Sequence, residues 1–169
     1  MVCAKIADSL QITDKRGKSL KQVENLRYLG SVIHAQGESE EDIKARIAAA
    51  WKKWKELTGV LCDRRMPSAV KGKAYRTVVR PVLTYGSEAW TLRRCEEERL
   101  ERTEMPMFHW ILGLTLKGRK RNDDICCIIG VACITDKVHK ARLRWYEHVQ
   151  WQEEDDCVKR ILEADVQGQ

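Results

Sequence analysis

The stretch LRYLGSVIHAQGESEEDIKARI, residues 26–47, joins two kinds of local structure. Its first half, through His34, is rich in aromatic and β-branched residues and leads into a turn signal at Gln36-Gly37, a pattern typical of a strand. Its second half opens with Ser39-Glu40-Glu41-Asp42, a capping-box pattern with acids in the first turn, where the helix dipole favours them. The stretch therefore predicts a strand, a turn and a long helix in that order.

The helix that begins at Ser39 is predicted to reach Leu61. Its apolar residues alternate at spacings of four and three, which makes one continuous seam of Ile43, Ile47, Ala50, Trp54, Leu57 and Leu61. A second helix is predicted over 67–80, because proline suits the first turn at Pro67, and Pro81 is expected to end or kink it. Further helices are predicted at 96–112, with Pro106 in the interior, at 122–129, from Thr135 through 149, and at 156–164.

A small β unit is predicted before these helices. Residues 10–13 alternate in polarity, 14–17 form a turn candidate, and 26–34 supply a further strand. A hairpin this short is marginal alone and must pack against something. The predicted fold is mostly α, a helical bundle with a small N-terminal β-hairpin or strand unit, divided into residues 1–36 and 37–169.

Positive charge is concentrated in residues 44–80. This segment holds eleven Lys or Arg residues against Glu56 and Asp63, a net charge of +9 in a chain whose total is +6. Clustered cations gain affinity for a polyanion by releasing counterions from its phosphates. A nucleic acid is therefore the expected partner, and the alternative is an ordinary solvated helix face.

Patterns for catalysis are lacking in the sequence. Asp123-Asp124 and Asp155-Asp156 precede helical patterns, where acids serve as caps rather than as ligands of catalytic metals. Cys126 and Cys127 are adjacent, unlike the spaced pair of a zinc site, so a small zinc protein is a weak alternative. Neither G-x-S-x-G nor a phosphate-binding glycine loop occurs. We expect no enzyme activity, no metal, no cofactor and no small-molecule substrate.

The cysteines and the N-terminus favour a reducing compartment. The seven cysteines are odd in number and do not form a secreted framework, and the first residues lack the pattern of a signal peptide. No run approaches the roughly 20 apolar residues of a membrane span. We expect an intracellular protein, nuclear or cytoplasmic, without a membrane partner.

Three segments, in this order and spacing, resemble the C-terminal part of the reverse transcriptase of LINE-type, non-LTR retrotransposons. They are LRYLGSVI at 26–33 with the helix after it, YRTVVRPVLTYGSEAWTL at 75–92, and ERTEMPMFHWILG at 101–113 with RLRWYEHV at 142–149. The resemblance covers roughly residues 9–164. Pro106 and Glu147 depart from the pattern, where relatives commonly have a basic residue and glycine.

The resemblance implies that the Y-L-G strand belongs to a primer grip at the edge of the palm. The helices after it would form a thumb that closes over a primer–template duplex. Together with the charge pattern, it gives these candidate nucleic-acid-binding residues: Arg27, Tyr28, Gly30, Lys44, Lys52, Lys53, Lys55, Arg64, Arg65, Lys71, Lys73 and Arg76. Contacts to phosphates carry no sequence information, so an RNA–DNA or DNA duplex is expected to bind without sequence preference.

The catalytic aspartates of that family lie upstream of the Y-L-G strand. We therefore expect a non-catalytic fragment, for which a polypeptide that supplies palm and fingers is a candidate partner. The alternative is a helical protein-interaction module, or a decayed transposon relic without biochemical activity. Trp51 and Trp54 lie among lysines, yet the seam predicts that both pack rather than stack on bases.

Overall fold

The computed structural model describes residues 16–19, 21, 23–114 and 120–152. Within them, the strands β1 (Asn25–Tyr28) and β2 (Ser31–His34) form an antiparallel hairpin ahead of a helical bundle. The helices are α1 (Glu40–Glu56), α2 (Thr58–Leu61), α3 (Ser68–Ala74), α4 (Arg80–Leu83), α5 (Arg94–Leu112), α6 (Asn122–Ile129) and α7 (Ile134–Gln150). A π-helical turn (Tyr75–Val79) joins α3 to α4, and a 3-10 turn (Ser87–Ala89) precedes α5.

The predicted fold class, mostly helical with an N-terminal hairpin, is confirmed. The predicted strand at 10–13 and helix at 156–164 lie outside the described residues. Among the residues described, no helix combines the length and apolar composition that crossing a bilayer requires.

The hairpin replaces the single strand that was expected over 26–34. Leu29 and Gly30 have φ of +48° and +87°, so both central residues of the turn are left-handed, as in tight β-hairpins. Tyr28 then pairs with Ser31, and Asn25 pairs with His34. The prediction was wrong because leucine rarely adopts this backbone conformation, so Leu29-Gly30 is not one of the residue pairs that usually indicate a hairpin turn.

The predicted seam of α1 forms the middle of the core. Trp51 and Trp54 pack edge to face with ring centroids 5.6 Å apart, which confirms that both serve packing. The helix is interrupted at Leu57, so the expected single helix over 39–61 is two helices. The last seam residue, Leu61, belongs to α2 and is buried. The fully or nearly fully buried seam residues are Ile43, Ala50, Trp54 and Leu61.

Ser39 and Asp42 make tertiary contacts instead of the predicted capping box. Neither forms a side-chain cap of α1. Ser39 Oγ accepts a hydrogen bond from the Thr91 backbone N–H at 2.8 Å, and Asp42 accepts from Val32 and Trp90. The capping prediction was wrong because both side chains are buried among partners distant in sequence, which compete for their oxygens.

Pro81 does not end its helix, which continues to Leu83. Proline lacks an N–H, and its ring needs space beside the preceding turn. The π-helical turn that ends at Val79, two residues before Pro81, is wider than an α-helical turn and supplies that space. The chain then leaves the helix at a packed bend, where Gly86 has φ +76°.

The later helices follow their predicted ranges to within two residues. α5 continues through Pro106, and α6 matches 122–129. α7 begins at Ile134 with Cys133 at its cap, so Thr135 lies inside the helix. Three large apolar side chains of α7 remain open: Leu143, Trp145 and Tyr146 are 63%, 48% and 55% exposed.

Candidate nucleic-acid interface

Residues 40–83 form two arms and a tip, which we call the helical hairpin. α1 and α2 make the first arm, α3 through α4 make the second, and residues 62–67 connect them. α1 packs against α4 and the π-helical turn, while α2 contacts α3. The basic segment of the sequence thus folds back on itself around a shared core.

Six exposed basic residues of the helical hairpin form no side-chain hydrogen bond or ion pair with any described residue. We call them the hairpin cations. Two lie on the first arm, two at the tip and two on the second arm, and they are Lys52, Lys55, Arg64, Arg65, Lys73 and Arg76. Unpaired ammonium and guanidinium groups are free to bind phosphate oxygens.

Lys44 is exposed and Lys53 is partly exposed, and both form ion pairs with acids of their own helix. Lys44 Nζ lies 3.1 Å from Glu40 and 3.0 Å from Glu41, and hydrogen bonds to Glu41 and Glu40 raise its pKa. Lys53 Nζ lies 2.6 Å from Glu56, whose pKa is lowered mainly by that hydrogen bond. Exposed pairs are weak, so a phosphate can displace either carboxylate.

Lys71 is buried, which corrects its assignment as a phosphate ligand. Its side chain is tucked between α3 and α5 at 6% exposure, and Nζ donates a hydrogen bond to the Ile111 carbonyl at 3.0 Å. That carbonyl belongs to the last turn of α5, where carbonyls lack helical partners and the helix dipole favours a cation. Lys71 therefore closes the end of a helix and does not face solvent.

Arg80 also leaves the basic surface, because it is buried with Glu104. The guanidinium donates two hydrogen bonds of 2.8 Å to the two carboxylate oxygens, and a third, of 2.6 Å, to the Ala132 carbonyl. Tyr75 donates its hydroxyl to Glu104 at 2.7 Å. Burial, followed by the Glu104 charge, raises the pKa of Tyr75 well above its usual value. This network ties α5 to the second arm.

The tip of the β-hairpin has exposed side chains, while its backbone carbonyls are hydrogen-bonded to the helical part of the molecule. Tyr28 and Leu29 are 60% and 75% exposed, and Arg27 is exposed as well. Arg46 of α1 donates to the Gly30 carbonyl at 2.5 Å and lies 4.4 Å from the centroid of the Tyr85 ring. The Tyr85 hydroxyl donates to the Leu29 carbonyl at 3.3 Å. Both carbonyls of the turn are thus bound by helix or bend side chains.

Asp42 fixes the same hairpin from its other strand. Its carboxylate is buried and accepts hydrogen bonds from the Val32 N–H at 2.9 Å and the Trp90 indole N–H at 2.8 Å. Sequence reasoning missed Asp42, Arg46, Tyr85 and Trp90 as positioning residues. For Asp42 and Arg46, the sequence feature that could have indicated this role is their four-residue spacing, which places both on one helix face.

The structure therefore divides the predicted site residues into groups. The hairpin cations are exposed and unpaired, Lys44 and Lys53 are paired, and Lys71 is buried. Arg27 and Tyr28 lie at the exposed tip, while Gly30 supplies a carbonyl to Arg46. No group of three or more His, Cys, Asp or Glu residues suited to a metal lies in the described part of the chain.

The chain is similar to a Caenorhabditis elegans protein named as transposon-derived, with 31% identity over 137 residues. The match covers 77% of this chain and 48% of that protein, so the chain spans about half of the relative's length. No family model matches the chain. No solved structure matches it. The similarity supports a transposon origin for this protein.

Proposed function

We propose that this protein binds the backbone of a primer–template duplex through the hairpin cations, as a non-catalytic part of a LINE-type reverse transcriptase. One observation carries the proposal. Six cations on a single folded unit are exposed, and none forms an ion pair with a carboxylate of the described residues. A phosphate backbone would supply the missing negative charge, and each contact would release a counterion.

The fixed tip of the β-hairpin supports the same function. Arg46 and Tyr85 hold the Gly30 and Leu29 carbonyls, so Arg27 and Tyr28 are presented on a backbone that cannot collapse onto the helices. A guanidinium and a phenol at such a tip suit the sugar–phosphate chain of a primer end. In this proposal the tip orients one strand while the helical hairpin follows the duplex.

A reverse-transcriptase origin agrees with the transposon-derived relative, because non-LTR retrotransposons encode such enzymes. The residues that carry the proposal are cations that position phosphates, so the proposed role is binding rather than catalysis. In this proposal, polymerisation belongs to the part of the palm that carries the family's catalytic aspartates, upstream of the Y-L-G strand.

The test is equilibrium binding to a fluorescein-labelled RNA–DNA hybrid of about 20 base pairs, measured by anisotropy over a salt series. We expect the quadruple variant Lys52→Gln, Lys55→Gln, Arg64→Gln, Arg65→Gln to lose at least about tenfold in affinity at low salt. The slope of log K against log salt should fall by up to about 3–4.

The matched control removes the same charge elsewhere. Arg93, Arg94, Arg99 and Arg102 are exposed but paired with glutamates, and their joint replacement by Gln also removes four positive charges. If this control weakens binding as much as the hairpin variant, only net charge matters and the proposed interface is wrong. The absence of measurable duplex binding at low salt would also refute the proposal.

A further inference from the structure

The second half of α7 carries large apolar side chains that the rest of the described chain leaves open. Trp145 and Tyr146 are about half exposed, and Leu143 is more exposed still, although Val149 on the same helix is buried. Arg142 precedes the two aromatic residues by three and four positions, so its side chain lies beside both rings on one helix face. We call Arg142, Trp145 and Tyr146 the aromatic face of α7.

An open groove of about 550 Å³ lies along this face. It is lined by the aromatic face, by His139 and Leu143, and from across the groove by Glu88 of the 3-10 turn. The 3-10 turn packs against α7, so the groove has one wall of helix and one of bend. Arg142 also lines the adjoining depression beside residues 91–93, so the guanidinium stands where two concave surfaces meet.

The charge on this half of α7 favours an anionic partner. Lys140, Arg142 and Arg144 are exposed and form no ion pair with any described residue. Glu147 is the acid of this half, and Glu88 faces the groove from the bend. Glu97 is hydrogen-bonded to His139 at 2.9 Å and lies outside the residues that line the groove.

We infer that the aromatic face of α7 binds single-stranded nucleic acid, separately from the duplex surface of the helical hairpin. Exposed indole and phenol rings stack on nucleobases, while an adjacent guanidinium binds the phosphate that links them. A duplex offers no such partner, because its base faces are already stacked on one another. A groove that presents two aromatic rings and the Arg142 guanidinium together therefore favours unpaired nucleotides.

The position of Arg142 argues against a lipid surface as the occupant. A helix that lies in a membrane keeps its apolar residues together and its cations on the opposite side. Here the Arg142 guanidinium lies on the same helix face as the two rings. Inserting the rings into a bilayer would therefore remove water from a charged group. A phosphodiester strand satisfies the charge and the rings together.

The test measures binding of a fluorescein-labelled oligo-dT of about 20 nucleotides by anisotropy at low salt. We expect Trp145→Ala with Tyr146→Ala to weaken this binding by about tenfold or more, because each stacked base is lost. Duplex affinity should change by less than about twofold, since the hairpin cations are intact. Phe at both positions keeps two aromatic rings and should retain most of the single-strand affinity.

Trp110→Ala is the matched control. Trp110 is 66% exposed on α5 and lies outside this groove, so its loss should leave oligo-dT binding unchanged. The inference is overturned if the parent protein does not bind oligo-dT, or if the double alanine variant binds as the parent does. It is equally overturned if Trp110→Ala weakens binding as much, or if size-exclusion chromatography shows that the face mediates self-association without any change in oligo-dT affinity.

Discussion

Glu104 joins several segments of the fold through one carboxylate. It accepts hydrogen bonds from Tyr75 in the π-helical turn and from Arg80 in α4, and Arg80 continues to the Ala132 carbonyl before α7. The side chains of Arg80 and Glu104 are only 7% and 2% exposed. Each charge is acceptable in the interior only because the other is present.

Glu104→Ala should therefore destabilise the fold strongly, by about 3–5 kcal/mol, since it leaves the Arg80 guanidinium buried without a counter-charge. The measurement is urea denaturation followed by far-UV circular dichroism. Glu98→Ala is the control on the same helix, because Glu98 pairs with Arg94 and Arg102 at 44% exposure. It should cost less than about 1 kcal/mol, and equal losses in the two variants would contradict the assigned role of Glu104.

Among the elements, α5 tolerates a proline where a helix normally does not. Pro106 lies in the interior of α5 and is exposed, so its ring is directed away from the core. Its missing N–H leaves the Arg102 carbonyl without the usual helical partner. The residues that follow, Met107, Phe108 and Ile111, are buried, and their packing keeps the helix continuous.

Pro106→Ala should stabilise the protein by about 1–3 kcal/mol, because it restores one helical hydrogen bond and removes the clash of the ring with the preceding turn. Thermal and urea denaturation would measure the gain. Arg102→Ala, one turn earlier and also exposed, should stay within about 0.5 kcal/mol of the parent. A loss of stability on replacing Pro106 would contradict this prediction and mean that the proline stabilises α5.

Element by element, the sequence predicted the helices that bury a regular seam and missed the features set by distant partners. The spacing of Ile43, Ala50 and Trp54 identified α1 because helical periodicity is a local property. The Leu29-Gly30 turn was missed because leucine rarely adopts positive φ, and the tertiary contacts of Arg46 and Tyr85 hold this turn. The side-chain cap predicted at Ser39 does not form, because Thr91, far along the chain, donates a hydrogen bond to its oxygen.

For the whole molecule, the concentration of charge could be predicted but its distribution over surface and interior could not. Lys52 and Lys55 lie off the seam of α1, so their exposure follows from the periodicity. Lys71 and Arg80 belong to the same basic segment but are buried, because α5 brings Ile111 and Glu104 against them. Those contacts are 40 and 24 residues distant in sequence, beyond the range of any local pattern.

Global stability should decline in alkali through groups of the buried network. An unfolded tyrosine ionises near pH 10, whereas burial and Glu104 hold the pKa of Tyr75 well above that value. Burial also raises the pKa of Cys126 from 9.0 to about 11. Stability from such groups is complete below the unfolded pKa and is lost as the pH rises towards the folded one, because the unfolded chain releases the proton more easily.

Tyr75→Phe isolates the tyrosine contribution. The parent should lose up to roughly 1.4 kcal/mol for each pH unit above 10 from this residue, and the variant should not. Urea midpoints at pH 9 and pH 11 would give the two slopes. If both proteins lose stability equally between these values, Tyr75 does not govern the alkaline limb.

Because Arg46 and Tyr85 bind the carbonyls of the turn between β1 and β2, the position of this turn is coupled to that of α1. A pair of four-residue strands has little stiffness of its own. Here α1 and the bend at Gly86 hold the strands in place. The bend packs so closely on β2 that a Cβ added at Gly86 would lie 2.8 Å from Ser31 Oγ. Any tilt of α1 would therefore move Tyr28 and Leu29 with it, so under the proposed function the contacts with the primer end and with the duplex would shift together.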